Sequence, residues 1–235
     1  MNLSEEQINV INHTTHPALV LAGPGSGKTT VITQRLLRLI SNHSNVKILC
    51  LTFSKAAVLE MESRFRGILP NASAYVHFST LHSLAYAIIK RGISADKMPV
   101  LLDSKDCPHN KYVILQKIYR EINNRSISVT ETEKLIGWIS RSRNDSLDAA
   151  KTDTHVQIKN FETIKSRYER YKRENSLIDF DDMMLYALNI LQNDKDQLAY
   201  WSGLYNFVQV DEGQDLTPSQ FKVIELIAPH NNIFI

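Results

Sequence analysis

Leu19-Val20-Leu21-Ala22-Gly23-Pro24-Gly25-Ser26-Gly27-Lys28-Thr29-Thr30 decides how this chain is read. An apolar, β-favouring run stops at a glycine-rich loop, and a helix-patterned segment, Val31 to Leu39, follows directly. Strand, loop and helix in that order, with a lysine and a hydroxyl at the helix start, form the arrangement that wraps a polyphosphate. Glycines let backbone N–H groups converge, and the helix N-terminus adds positive potential. Residues Ala22, Gly23, Pro24, Gly25, Ser26, Gly27, Lys28, Thr29 and Thr30 are the candidate phosphate cradle, with Ala22 where the strict pattern has its first glycine. Lys28 would neutralise the β- and γ-phosphates, and the Thr29 hydroxyl would complete a Mg²⁺ shell. A glycine-rich turn that merely precedes Lys-Thr is the bland alternative; the flanking strand and helix weigh against it. The pattern predicts a nucleoside triphosphate site.

Composition narrows the class without choosing a function. The chain has 235 residues, 43% hydrophobic and 22% charged, as in an ordinary globular protein of one large or two small domains. Cys50 and Cys107 form neither a disulfide framework nor a metal pattern, which suits a reducing cytosol. No apolar run approaches about 18 residues, and the N-terminus lacks a basic-then-apolar signal, so neither secretion nor a membrane span is expected. Net charge is +2, but residues 90–175 hold 18 Lys and Arg against 12 Asp and Glu, and the remainder is acidic. A basic middle in an acidic frame fits a separate module with an anionic partner, and equally fits a solvated helical surface.

In chain order, Ser4-Glu5-Glu6-Gln7 opens as a capping box, with Ser4 as N-cap and Gln7 reaching back. Val46–Thr52 reads as a second buried strand followed by a helix to about Arg66, and Tyr75–Phe78 as a third strand. Ser79-Thr80 then caps a helix to about Arg91. From 92 to 175 helical periods dominate (Tyr112–Ile122, Glu131–Ser140, Thr154–Lys172) and strand signals are absent. Alternation then resumes: a helix over Asp179–Leu191, a strand at Phe207–Val210, a helix from Thr217-Pro218 to Ile227, and a strand at Asn232–Ile235. The expected fold is α/β: a parallel sheet with helices on both faces, built from residues 1–91 and 176–235, with an inserted all-helical subdomain at 92–175. A strand at the last residue leads us to expect a fragment.

Four apolar positions followed by Asp211-Glu212 are what a phosphate loop needs opposite it. Asp211 at a strand end would hold Mg²⁺, directly or through water, and Glu212 would polarise the water attacking the γ-phosphate. A solvated acidic turn is the alternative.

The loop at Ala22–Thr29 together with Asp211-Glu212-Gly213-Gln214-Asp215 resembles the superfamily 1A DNA helicases of the UvrD/Rep type, whose second motif reads Asp-Glu-x-Gln-Asp. Further resemblances fall in the same order along essentially the whole chain. Leu3–Gln7 is similar to the opening glutamine motif, which implies that Gln7 reads the adenine edge; capping competes for the same amide. Leu51-Thr52-Phe53-Ser54-Lys55-Ala56-Ala57 resembles a single-strand-binding motif but is one residue shorter, implying DNA contacts at Thr52 and Phe53; Phe53 as a core residue stays open. Ser79-Thr80-Leu81-His82-Ser83 resembles another DNA-contacting motif through Thr80 and His82, with a helix cap and a buried polar group as alternatives. Ile178-Asp179-Phe180-Asp181-Asp182 resembles the segment that returns from the insertion. There Phe180 would touch DNA, while Asp181 and Asp182 are equally N-terminal helix acids.

The resemblance implies an ATP-dependent DNA helicase with a RecA-like motor domain. ATP and Mg²⁺ would be the cofactors, Glu212, Lys28 and Gln214 the catalytic set, and Thr29 and Asp211 the metal ligands. Single-stranded DNA and single/double-strand junctions would be the partners, with 3′-to-5′ movement in a bacterial, nucleoid-associated cytoplasmic protein. The second motor domain and its arginines do not follow in this chain, so nucleotide binding with little turnover is expected. A truncated, non-catalytic DNA-binding or regulatory protein and a phosphate-loop phosphotransferase are the rival expectations.

Overall fold

A computed structural model describes residues 3–14, 16–102, 104, 107–145, 158–228 and 232–235. Along the chain run α1 (Glu5–Asn12), α2 (Lys28–Asn42), β1 (Ile48–Thr52), α3 (Lys55–Ile68), β2 (Val76–Thr80), α4 (Leu81–Gly92), β3 (Val100–Leu101), α5 (Lys111–Asn123), α6 (Val129–Asp145), α7 (Phe161–Glu174), β4 (Leu177–Ile178), α8 (Phe180–Asn193), α9 (Lys195–Leu204), β5 (Phe207–Val210), α10 (Pro218–Ile227) and β6 (Ile233–Phe234).

The main sheet has the order β2-β1-β5-β6, and every pair is parallel. Beyond β6 the chain before the glycine loop lies alongside: Ala18 N–H donates to the Ile233 carbonyl and Val20 N–H to that of Ile235. β1 shows why its sequence is apolar throughout. Ile48 and Cys50 face the cluster of Leu36, Leu39 and Phe65 from α2 and α3, whereas Leu49 and Leu51 face α4, α8 and α10 through Leu84, Met184 and Ile224. A strand covered on both sides needs no polar face. Each such fully buried Leu or Ile contributes about 1.5–3 kcal/mol relative to exposure.

Three expectations change. Leu19–Leu21 is an extended edge stretch and not a buried strand, since Leu19 is 70% and Leu21 90% exposed and no described element packs over them. Segment 92–175 is not purely helical: Val100-Leu101 pairs in parallel with Leu177-Ile178, a ladder too short to give a sequence period. Helix α9 was not expected; its signal is Asp194, whose carboxylate caps the N–H groups of Asp196 and Gln197. The predicted helix start at Thr154 lies outside the described residues, and the described helix begins at Phe161. A separate apolar cluster, including Leu115, Leu135, Ile139, Ile164 and Tyr168, holds α5, α6 and α7 together.

Candidate nucleotide and DNA site

Parallel pairing sends every strand to the same edge of the sheet, where α/β proteins place their ligands. At that edge end the stretch leading into Ala22–Gly27, β5 leading into Asp211-Glu212, β1 leading into Phe53, and β2 leading into α4. The register brings Leu51 beside Val210 and Thr52 beside Thr80, and Asp211 N–H donates to the Leu51 carbonyl.

The glycine loop has the conformation its sequence requires. Gly25 and Gly27 take φ of 75° and 82°, which side chains with a Cβ rarely adopt. No side chain caps α2, so the N–H groups of its first turn remain available to an anion. Lys28 Nζ lies 3.3 Å from Glu212 Oε1, and Gln214 Nε2 donates to Glu212 Oε2 at 2.5 Å. Glu212 sits in the left-handed region at φ 56°, a strained conformation for a non-glycine residue. The two adjacent acids diverge. Burial, then the neighbouring Glu212 charge, raises the Asp211 carboxyl above its ordinary range, whereas the bonds from Gln214 and Lys28 hold Glu212 below. Gly213 has its own constraint: a Cβ there would meet Ile235 Cγ2 at 1.9 Å.

Gln7 does two things at once, because its amide has two ends. Its Oε1 accepts from Ser4 N–H at 2.9 Å, closing the capping box, while its Nε2 donates to the Ser26 carbonyl of the glycine loop at 2.9 Å. Both ends of the amide that was expected to be shared between capping and the adenine edge are thus engaged within the chain.

The expected DNA contacts divide into two groups. Phe53 and Phe180 are 53% and 50% exposed, which removes the core alternative for Phe53. His82 is partly buried and packs edge-on to Phe180, with ring centroids 5.1 Å apart. Thr52 and Thr80 instead are buried, and their hydroxyls bond to the Ser54 carbonyl and to Ser83. They shape the turn after β1 and the cap of α4 and are not on the surface. Asp182 proves to be a helix acid: it completes a capping box with Asp179.

Sequence reasoning missed the groups behind Phe180. Arg143 of α6 and Lys172 of α7 are buried against Asp179 and Asp182. The available signal was the Asp-x-x-Asp spacing, a capping box that leaves both carboxylates on one side of a helix start.

Comparison with known proteins agrees with this layout. Residues 3–235 match the family model described as UvrD/REP helicase N-terminal domain. The ATP-dependent DNA helicases PcrA of Staphylococcus aureus and of Staphylococcus epidermidis are each 30% identical over 237 residues, covering 97% of this chain and 32% of theirs. The chain therefore spans about a third of the length of these relatives. With the match running over nearly every residue, the chain belongs to the UvrD/REP helicase family, in the part that forms its N-terminal domain.

Proposed function

We propose that this chain is the ATP-binding motor half-site of an ATP-dependent DNA helicase, in which hydrolysis drives movement along single-stranded DNA in the 3′-to-5′ direction. One observation carries the reading: a single sheet edge presents the phosphate loop and Asp211-Glu212 on one side and Phe53 and His82 on the other, with β1 and β5 adjacent between them and Phe180 of α8 packed on His82. Residues 1–91 and 176–235 form the RecA-like domain, and residues 92–175 a subdomain with its own core. A groove of about 540 Å³ between α5 and α7 is lined by Lys117, Arg167 and Arg170 and by Glu121 and Glu174, with Arg167 paired to Glu121.

The donor set fits Mg-ATP. Among the described residues no cluster of three His, Cys, Asp or Glu would hold a metal alone. Magnesium suits such a site, since it uses one or two protein ligands, waters and substrate phosphates. Thr29 and Asp211 would hold it, and bound there it neutralises charge developing on the phosphates. Lys28 binds the β- and γ-phosphates, which takes it from Glu212. Glu212, released from the lysine and oriented by Gln214, then accepts the proton of the attacking water. The space in front of Gly23 and Gly25 is open, since a Cβ at either would meet nothing within 4 Å.

The test is binding of a fluorescent ATP analogue and of an oligothymidine. Lys28→Ala should weaken nucleotide affinity by at least about tenfold, as expected for losing a charge-assisted phosphate contact. DNA affinity should fall steeply with salt, with a log–log slope of about −0.7 per phosphate contacted. Unchanged ATP affinity in Lys28→Ala overturns the nucleotide site; salt-independent or undetectable DNA binding overturns the helicase reading in favour of a phosphotransferase. Glu212→Gln should keep ATP binding and stop turnover.

A further inference from the structure

We infer that Arg143 and Lys172 are positioning residues for single-stranded DNA: they clamp the carboxylates of Asp179 and Asp182 from the helical side, and so hold Phe180 against His82. This rests on the reading of Phe180 as a DNA contact. Phe180 is the first residue of α8, between the N-cap Asp179 and Asp182, whose side chains and backbone N–H groups bond reciprocally at 2.9 and 2.8 Å. Arg143 donates to both oxygens of Asp179 at 3.0 and 3.1 Å, and Tyr168 OH and Lys172 add bonds at 3.0 and 3.3 Å. Lys172 also reaches Asp182 at 2.6 Å, and Lys111 lies 3.5 Å from Asp179. Glu169 bonds to both Arg143 and Lys172, while Ser140 donates to Asp181 at 3.0 Å.

The cations of this cluster come from α5, α6 and α7, and three of its four carboxylates come from the residues that begin α8. Asp179 and Lys172 are each 2% exposed, and Arg143 and Asp182 8%. Apolar residues of similar volume often stabilise a fold as well as a buried ion cluster does, whereas fixed hydrogen-bond directions orient one element against another. What this cluster orients is the first turn of α8. That turn also carries half-exposed Phe180, edge-on to His82 at an interplanar angle of 76°. Arg143 and Asp181 line, with Met184, Thr217 and Gln220, a shallow recess beside the two rings. The rings are therefore set by three groups of contacts: the capping box, the clamp behind it and His82.

The experiment measures oligothymidine affinity by anisotropy on the 235-residue chain, with ATP affinity and the thermal midpoint recorded in parallel. Phe180→Ala should lower DNA affinity by about 5- to 150-fold, the range of a lost base-stacking contact. Arg143→Gln should produce a comparable loss with ATP affinity retained, Arg143→Lys should restore part of it, and Arg143→Gln should add nothing further in the Phe180→Ala background. Full DNA affinity in Phe180→Ala overturns the DNA reading of that ring. A loss in Phe180→Ala with full affinity in Arg143→Gln, or a loss from Arg143→Gln that persists undiminished without Phe180, overturns the positioning role alone. Should Arg143→Gln not fold, Tyr168→Phe makes the same comparison, since it removes one bond to Asp179 and leaves the ring. A loss that vanishes without Phe180 supports the clamp, and unchanged affinity overturns it.

Discussion

Replacing Phe53 by alanine separates two roles that the sequence alone leaves equal. Were the ring a core residue, its truncation would cost about 3–5 kcal/mol. In a protein of this size that is about a 6–20 °C fall in thermal midpoint. The ring is in fact 53% exposed, on the turn between β1 and α3, so only about half of its area is removed from water on folding. Fully burying a phenylalanine is worth about 1.5–3 kcal/mol, so Phe53→Ala should cost the fold about 1 kcal/mol. That is about 2–4 °C. A base stacked on the ring carries about 1–3 kcal/mol, which lowers DNA affinity by about 5- to 150-fold. Differential scanning fluorimetry and oligothymidine anisotropy on the same samples read both quantities, and Phe53→Trp should keep DNA affinity near the parent value. DNA affinity unchanged within about twofold, or a fall of roughly 10 °C or more, would refute the reasoning.

Two further outcomes follow from the geometry. Gly213→Ala should destabilise the chain by about 1–3 kcal/mol, because its methyl lands on Ile235 Cγ2. Urea unfolding should show that penalty shrinking in an Ile235→Ala background, and an equal penalty in both backgrounds would mean the contact is not the cause. Acidification should also weaken the fold. Burial lowers the pKa of His77 and of His82 from the ordinary 6.5, outweighing Glu62 and Asp181. The folded state therefore binds fewer protons than the unfolded state below that value, and stability falls as pH drops through and below 6.5. Urea midpoints at pH 7.5 and 5.5 should differ in that direction, and the gap should narrow in a His77→Gln/His82→Gln variant.

The parts of the site that were legible in the sequence are those whose chemistry is local. A glycine loop before Lys28-Thr29 and an acidic pair after four apolar residues are short-range statements, and chain order alone placed them at strand ends. Their meeting required strand adjacency, which the αβ alternation constrains and β6 supplies, pairing with β5 on one side and with the Ala18–Val20 stretch on the other. What stayed illegible depends on contacts between distant segments. Leu19 and Leu21 have the composition of a buried strand, yet composition does not say which side of a sheet is covered. Thr52 and Thr80 matched surface motifs while serving the backbone, because a hydroxyl near a turn bonds locally before it reaches a ligand. Arg143 and Lys172 look like any surface cation in a basic helix until the fold brings two aspartates to them.

Gln7 shows the same lesson at the level of a single amide. Capping and adenine reading draw on one amide, whose oxygen and nitrogen are separate resources. In this geometry the oxygen caps α1 and the nitrogen holds the Ser26 carbonyl. Reading an adenine edge needs an acceptor for its amino group and a donor to its ring nitrogen, and so needs both ends. Any gain at the base is then offset by the cap, typically worth about 1 kcal/mol, and by one hydrogen bond of about the same size. On the proposed reading, an adenine that engages both ends of Gln7 would take its Nε2 from the Ser26 carbonyl, so base recognition and the grip on the phosphate loop would compete for one side chain.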